Sequence, residues 1–474
     1  MLKMSPVKFF IYCALIFGTI LLVLIPPFQS PDEDSHFKRA YVVSYGKFYP
    51  TTQDGKVGFN LPNKMVDYIN DKLTFIGDRD RKYSYNELVC DDRIPVEYSE
   101  SSFQNFSTVE TTPVVYAAPA LGIVFSRCVS HIIGLKNISI VNMLYFARFF
   151  SLILYIILVG LAIKTTPILK KTFCLIGLIP MSLSLAAAIS YDSVLIGITL
   201  LSTALIFKLI FDDNVKKITY KHAVALGIMG FILLSVKTVY ITALLPLIFI
   251  PKEKFGDKPV KNILKNIAIM AGITLVIYAI NKIPSLFLKE TTSDDSIAAM
   301  QQLQMVIQHP IYYIKIWINT MLDGRNYYYT GMFGIFGLSD TFMVTAVTVM
   351  YSIVFTFIVL SDVSLEEKKF NWKYKIVAIL GIIASIFGIF LAMYLFWTSI
   401  MEGYGIGAES ITGVQGRYFL PLIPIAITLL SNKVLVKSAK VKTFLSKVLE
   451  NSYVVSSVIL TISCITILLR FWCN

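Results

Sequence analysis

The stretch Ser30-Pro31-Asp32-Glu33-Asp34-Ser35-His36-Phe37-Lys38-Arg39 gathers carboxylates, an imidazole and a guanidinium directly behind an apolar run from Phe9 to Phe28. That run is long enough to cross a bilayer, so the cluster falls where lipid headgroups lie. Pro31 suits a first helical turn, and the spacing predicts a helix along the membrane surface. On such a helix Asp32, His36 and Arg39 stand at i, i+4 and i+7 and share a face. A carboxylate there can take a proton and a guanidinium can grip a phosphate. Asp32 is the first candidate for a catalytic base and Glu33 the second, because Ser30 to Glu33 also fits a capping box that would occupy Glu33. His36 could orient the carboxylate, bind phosphate or be a plain surface histidine. Asp32 and His36 alone make an incomplete metal site, which leaves a divalent cation open and no cofactor certain. Arg39 either binds phosphate or snorkels to headgroups.

The elements that must hold these groups are membrane spans. The chain has 474 residues, 55% of them hydrophobic, and a mean hydropathy of +0.67. Those values describe a polytopic membrane protein and exclude the soluble classes. Cys13, Cys90, Cys128, Cys174, Cys464 and Cys473 show no metal-ligand spacing and read as packing residues outside any disulfide framework. The first apolar stretch is too long for a typical signal peptide and lacks a small-residue cleavage site, so it reads as a retained anchor.

The net charge of +13 is unevenly spread. Residues 28–110 carry ten Lys and Arg against fourteen Asp and Glu, a net of −4, so the remainder sums to +17. That excess sits in short clusters: Lys164/Lys170/Lys171, Lys208/Lys216/Lys217/Lys221, Lys252/Lys254/Lys258/Lys261/Lys265, Lys368/Lys369/Lys373/Lys375 and Lys433/Lys437/Lys440/Lys442/Lys447. It reports membrane orientation and not nucleic-acid binding. If every cluster faces the cytoplasm, an even number of crossings separates each pair. The spans are then 9–27, 146–163, 172–190, 193–211, 222–236, 238–250, 263–283, 341–360, 376–397, 417–435 and 453–470. This predicts a single all-α integral membrane domain over 1–474 with about eleven transmembrane helices, its N-terminus inside and its C-terminus outside. Segments 113–134 and 310–322 are apolar, but parity keeps them on the outer side as re-entrant or surface pieces. The outer regions are a large first loop (28–145), a second region (284–340) and a Gly-rich loop (398–416). Asn105 and Asn137 begin short sequons of the kind that arise by chance.

Ionisable residues at apolar segments cost roughly 2.5–3.5 kcal/mol each on insertion scales and need partners or a purpose. Arg148, Asp192, Lys237, Asp340 and Arg417 all map to the outer face. Asp192 offers a second carboxylate near Asp32 or caps the helix that begins beside it. Lys237 sits at the tip of a hairpin and needs an anion, either a lipid-linked phosphate or a carboxylate such as Asp192. Gly413-Val414-Gln415-Gly416-Arg417 leads into a span with free backbone amides and a guanidinium, which suits a phosphate; an interfacial anchor is the alternative. Asp323-Gly324-Arg325-Asn326-Tyr327-Tyr328-Tyr329 suits sugar stacking and hydroxyl binding through Asp323, Arg325 and Tyr328, and suits an interfacial aromatic belt as well.

Taken in order, these motifs resemble a family of bacterial polytopic proteins, domain of unknown function 2142. The resemblance is carried by Pro31-Asp32-Glu33 with His36 and Arg39, Tyr145-Phe146-Ala147-Arg148, and Pro180-Met181 leading to Ser190-Tyr191-Asp192. It continues through Val236-Lys237, Gly334 to Asp340 and Gly416-Arg417-Tyr418-Phe419-Leu420-Pro421, so it spans about residues 20 to 430. That family is similar in layout to the GT-C glycosyltransferases, which use polyprenyl-phosphate sugars and place an acid in the first outer loop. The resemblance implies Asp32 or Glu33 as the catalytic acid group and Arg417, Lys237 or Arg148 as the lipid-phosphate grip. It further implies a polyprenyl-phosphate-linked sugar and a glycan acceptor as partners, with membrane lipids around them. The active site would then face outward from a multi-pass protein of the cell membrane. A flippase or transporter of lipid-linked glycans, or a polymerase, is the alternative. A transporter would distribute charges along a path, whereas here they gather at one edge, and no internal repeat is visible.

Overall fold

Ser5 opens the first long helix, Pro6–Leu24, by accepting a hydrogen bond from the Lys8 backbone N–H, with Pro6 at the position that needs no donor. The computed structural model describes residues 4–91, 100–134, 138–288, 294–368, 370–432 and 435–473; Asn137, Lys369 and Lys433 lie outside them. The last long helix, Ser452–Phe471, runs parallel to the first. Phe9 stacks on Tyr453 at 3.9 Å at one end, and the Trp472 indole donates to the Leu24 carbonyl at 2.7 Å at the other. The two chain ends therefore sit at opposite ends of the bundle.

One end carries the first long loop, and the other is basic. At the basic end Lys171 donates to the Leu449 carbonyl, Lys254 to the Asp212 carbonyl and Lys375 to the carbonyls of Leu429 and Ser431. Lys368 pairs there with Asp213. Among the described residues eight helical segments are long and apolar enough to cross a membrane, and Tyr220–Val236, Thr238–Phe249 and Gly416–Leu430 are shorter apolar helices, where parity predicts eleven spans. Helices Pro6–Leu24, Ile140–Thr165, Tyr191–Phe211, Pro259–Lys282, Thr345–Leu365, Trp372–Phe396 and Ser452–Phe471 provide the long traverses. Each lies in a segment long and apolar enough to cross a membrane.

The remaining traverses depart from continuous helices, and proline is the common cause. The expected span 172–190 is two short helices, Lys170–Gly177 and Pro180–Ala186, because Pro180 supplies no amide and starts a new turn. Span 222–250 folds as the expected hairpin, but its return limb Thr238–Phe249 is a 3-10 helix containing Pro246. Span 417–435 breaks into the 3-10 helix Gly416–Leu422, one α-turn Ile423–Ala426 and the 3-10 helix Ile427–Leu430, with Pro421 and Pro424 inside.

Segment 113–134 begins as a 3-10 turn and continues as helix Ala117–Ile132, which has the length and apolarity of a span. It stays at the loop end. Arg127 donates to the Ser44 carbonyl, Phe125 meets Phe146 edge-on, and a Cβ on Gly122 would strike the Phe146 carbonyl. It thus pairs with the overhanging first turns of helix Ile140–Thr165, which at 26 residues is about 39 Å long and exceeds the hydrocarbon thickness. Helix Pro310–Asp323 also avoids a traverse: Tyr313 and Trp317 pack on Phe387 and Tyr394 in the loop-end half of helix Trp372–Phe396.

The first loop adds an antiparallel three-stranded sheet, Thr51–Gln53, Lys56–Pro62 and Ser101–Gln104, with Lys56–Pro62 in the centre. Its registers include Thr51 opposite Gly58 and Phe59 opposite Gln104. Asn105 donates to the Val57 carbonyl and so closes this sheet. Cys13, Cys174 and Cys464 are buried packing residues, whereas Cys90 and Cys128 are exposed.

The acid-rich helix runs Glu33–Ser44, two residues later than Pro31 suggests. Its N-cap, Asp32, has φ 58°, a left-handed conformation that aspartate tolerates, and its side chain makes no capping bond. The expected capping box therefore does not form. Glu33 is instead fully buried against Arg148, whose Nε and Nη2 donate to its two carboxylate oxygens at 2.7 and 2.5 Å. The other Arg148 donors go to the carbonyls of Leu22, Ile25 and Pro26, so all five guanidinium N–H groups are used. The Ile189 amide completes the Glu33 shell at 3.1 Å. One ion pair thus joins the end of the first span, the acid helix, helix Ile140–Thr165 and the turn before Tyr191.

Removing one member of such a pair leaves a buried charge and costs about 3–5 kcal/mol. Arg148→Met and Glu33→Gln are each expected to abolish the monodisperse detergent-solubilised protein or lower its thermal midpoint steeply. A Glu33→Gln protein that elutes and melts as wild type does would contradict this structural role.

Candidate functional site

Four alternating charges form a chain at the loop end. The Asp32 Oδ2 accepts from Arg417 Nη2 at 2.6 Å, and Arg417 Nη1 lies 3.3 Å from Asp192 Oδ2. Asp192 Oδ1 in turn accepts from Lys237 Nζ at 3.2 Å. Each group arrives on a different element. Asp32 precedes the acid helix, Asp192 opens helix Tyr191–Phe211, Lys237 marks the hairpin tip, and Arg417 begins the proline-broken traverse. Ser190 caps the Tyr191 helix by accepting from the Asp192 amide, which frees the Asp192 carboxylate for the two cations. Aromatic rings hold the cations in place: the Tyr418 ring lies 3.9 Å from Lys237 Nζ, and Tyr191 lies 5.2 Å from it.

The members differ in access to water. The Asp32 side chain is 52% exposed, whereas those of Arg417 and Asp192 are 2% and 7% exposed. Asp32 is therefore the solvent-facing member of the cluster. Burial pushes its carboxyl up, but the positive charges of Arg417 and Lys237 outweigh burial and hold it below its ordinary range. Arg417 is not exhausted by Asp32. Its Nε and Nη1 are buried without a hydrogen-bond partner, Nη1 having only the ionic contact with Asp192.

Beside this guanidinium lies open space. A crevice lined by Pro31, Met181, Tyr327, Gln415, Gly416 and Arg417 shares Tyr327, Ser339 and Gln415 with a neighbouring cleft of about 420 Å³. Tyr327, Tyr328 and residues Ile411 to Gln415 wall that cleft. Its volume falls in the usual range for small-molecule sites. Gly413 has φ +82° and its missing Cβ leaves room for the Trp397 ring, while Gly416 allows the Tyr328 carbonyl to approach. These two glycines shape the wall. Gly416 begins a seven-residue 3-10 helix with an internal proline, so the expected α-helix N-terminus is absent there.

His36 stands next to the cluster, fully buried, with Nδ1 2.8 Å from the Tyr116 hydroxyl and its ring edge-on to Tyr191 at 4.6 Å. Burial pushes its imidazole down to about 4 against the upward pull of Asp32 and Asp192. It is neutral at pH 7 and buried, no surface histidine. Among the described residues no three His, Cys, Asp or Glu side chains gather as metal ligands. His36 Nδ1 and the Asp32 carboxylate are already turned to Tyr116 and Arg417.

The structure brings Asp32, His36, Asp192, Lys237 and Arg417 together and leaves the other candidates elsewhere. Glu33 and Arg148 neutralise each other behind the site. Arg39 turns aside to the carbonyls of Thr111 and Phe48. Tyr328 lines the cleft, but Asp323 and Arg325 lie on the surface, and Arg325 donates to the Leu322 carbonyl. Asp340 belongs to a separate buried pair with Arg470 at 2.9 Å. Sequence reasoning missed Tyr116, Tyr418 and Arg470. Arg470 carried a signal, as a lone charge at the end of an apolar span; Tyr116 is distant in sequence from its histidine and carried none.

Residues 15–426 match the model of a family described as "Predicted membrane protein (DUF2142)", which covers most of the chain. The chain belongs to that family. No curated protein and no solved structure matches it.

A histidine held neutral by burial sets a pH dependence. The folded pKa is depressed, so its contribution is fully present above the unfolded value near 6.5 and is lost as pH falls toward 4. The shift corresponds to up to ~3 kcal/mol over that window. The thermal midpoint in detergent is expected to fall between pH 6.5 and 4, and His36→Gln should flatten that fall; an unchanged profile in the variant would refute it.

Proposed function

We propose that this family member is a membrane glycosyltransferase that moves a sugar from a polyprenyl-phosphate donor to a cell-surface or lipid-linked glycan at the outer face. The observation that carries the reading is Arg417: a buried guanidinium with donors that lack a hydrogen-bond partner, paired to a half-exposed carboxylate and lining a small crevice that adjoins a cleft walled by Tyr327 and Tyr328. A phosphate arriving on Arg417 satisfies those donors and draws the guanidinium from Asp32, which is ionised and then free to act. Asp32 takes the proton of the acceptor hydroxyl as its oxygen attacks the anomeric carbon. The bond from that carbon to the phosphate oxygen breaks, and the electron pair leaves on the lipid phosphate. Arg417 stabilises the growing charge on the leaving group, with Lys237 behind Asp192 adding to the field. An in-line displacement inverts the anomeric centre. Tyr327 and Tyr328 offer the flat faces on which a sugar ring stacks.

The basic clusters collect at the opposite end of the bundle, which supports an outward-facing site and agrees with the positive-inside rule. A carrier would need its charged groups to continue along a path between the two ends; the alternating chain stops at Lys237.

The test is the composition of surface glycans, by mass spectrometry, in cells with wild type, a deletion or Asp32→Asn at matched expression. Deletion and Asp32→Asn are expected to lose the same sugar while the polymer backbone persists. Purified Asp32→Asn should lose at least about 100-fold in sugar transfer, the usual share of a general base. If Asp32→Asn keeps the glycan that the deletion loses, Asp32 is not the base.

A further inference from the structure

A second recess lies away from the charge cluster, where the first loop meets the end of helix Pro259–Lys282. Its walls include Arg39, Glu110, Ser235, Tyr278, Asn281 and Lys282. Two of these residues carry a buried polar atom without a hydrogen-bond partner, Arg39 Nη1 and Ser235 Oγ. Arg39 as a whole is 1% exposed, and its other donors are spent on the carbonyls of Thr111 and Phe48. A buried guanidinium with an idle N–H is costly unless a ligand oxygen completes it. The enclosed space is only about 20 Å³, room for one water-sized group. A whole sugar or nucleotide is therefore too large, and a single phosphate oxygen fits.

The surroundings point to where that oxygen comes from. Helix Pro259–Lys282 packs one side on helix Tyr220–Val236, where Thr274 donates to the Gly227 carbonyl, and leaves the rest open; Leu275, one turn below Tyr278 on the recess side, is 60% exposed. Within an apolar span such a face lies against acyl chains. Arg39 and Lys282 against Glu110 leave one net positive charge on the walls, which matches a phosphodiester monoanion.

We propose that this recess is a lipid-binding site that takes the phosphodiester of a glycerophospholipid, with a phosphate oxygen on Arg39 and Ser235, Lys282 at the rim, and the acyl chains running down past Leu275. The site is separate from Arg417 and does not rest on the glycosyltransferase reading. Arg39 lies one turn beyond His36 on the acid helix, so the bound lipid would brace the element that presents Asp32.

The experiment titrates radiolabelled didecanoyl phosphatidylglycerol into the full-length protein in a nonionic detergent, with didecanoylglycerol and inorganic phosphate as the comparison arms. Saturable binding of the phospholipid alone is expected. Lys282→Ala and Ser235→Val should each weaken it about fivefold, the loss of one surface cation or one hydrogen bond, and Arg417→Gln should leave it unchanged. Neither substitution touches the contacts by which Arg39 holds Thr111 and Phe48, so both proteins should melt as wild type does. Equal binding of didecanoylglycerol would reduce the site to an apolar groove, and displacement by millimolar inorganic phosphate would make it a free-anion site. Either result, or unchanged affinity in both variants, overturns the proposal.

Discussion

Everything at the loop end hangs on the Glu33–Arg148 ion pair. A fully buried pair of charges is tolerated only when every donor and acceptor is matched, because desolvation of the two ions otherwise exceeds their attraction. Here the guanidinium meets five acceptors, three of them carbonyls of Leu22, Ile25 and Pro26 at the unwinding end of the first span. The carbonyls of Leu22 and Ile25 would otherwise be unsatisfied at the helix terminus in an apolar setting, so Arg148 serves as an internal C-cap for the first span. The same contacts fix where the chain turns into the acid helix and force Asp32 into its left-handed conformation beside Arg417.

The charge cluster follows from that placement. With Glu33 locked inward, Asp32 is the carboxylate left at the mouth. The alternation of Asp32, Arg417, Asp192 and Lys237 keeps the group neutral overall and lets four ionised side chains stand together near an apolar core. Such a chain is polarisable at its open end. Lys237 is tied separately, to Asp192 and over the Tyr418 ring, so the Asp32–Arg417 contact does not depend on it. Structural and chemical duties are thus divided between two arginines of opposite accessibility to ligand: one with no donor to spare, one with two.

The proline-broken traverses have a related use. Pro180, Pro246, Pro421 and Pro424 interrupt hydrogen bonding in segments that would otherwise be plain spans. Irregular backbone at this depth is sustained where protein covers it, and the segments from Thr172 to Ser190 and from Gly416 to Ile427 are largely buried by their neighbours. The breaks bring Ser190, Asp192 and Arg417 to one level. The lipid-facing helix Pro259–Lys282 has no such break.

Composition and hydropathy determined the class, and charge parity the hairpin at Lys237. These follow from properties each segment carries by itself: apolar length, basic flanks and the even-crossing constraint. Asp32, His36, Asp192, Lys237 and Arg417 were legible as candidates for the same reason, since an ionisable group at an apolar boundary is costly wherever it pairs. Their partners were not legible. Nothing local distinguishes Glu33 from Asp32, two adjacent acids, or Arg148 from Arg417, two arginines at span ends. Only the tertiary structure assigned one of each to a sealed clamp and the other to an open site, because partner choice depends on which helix ends meet in space. The sheet within the first loop and the Tyr116–His36 contact were hidden likewise, being pairings across long sequence separations that no local periodicity encodes.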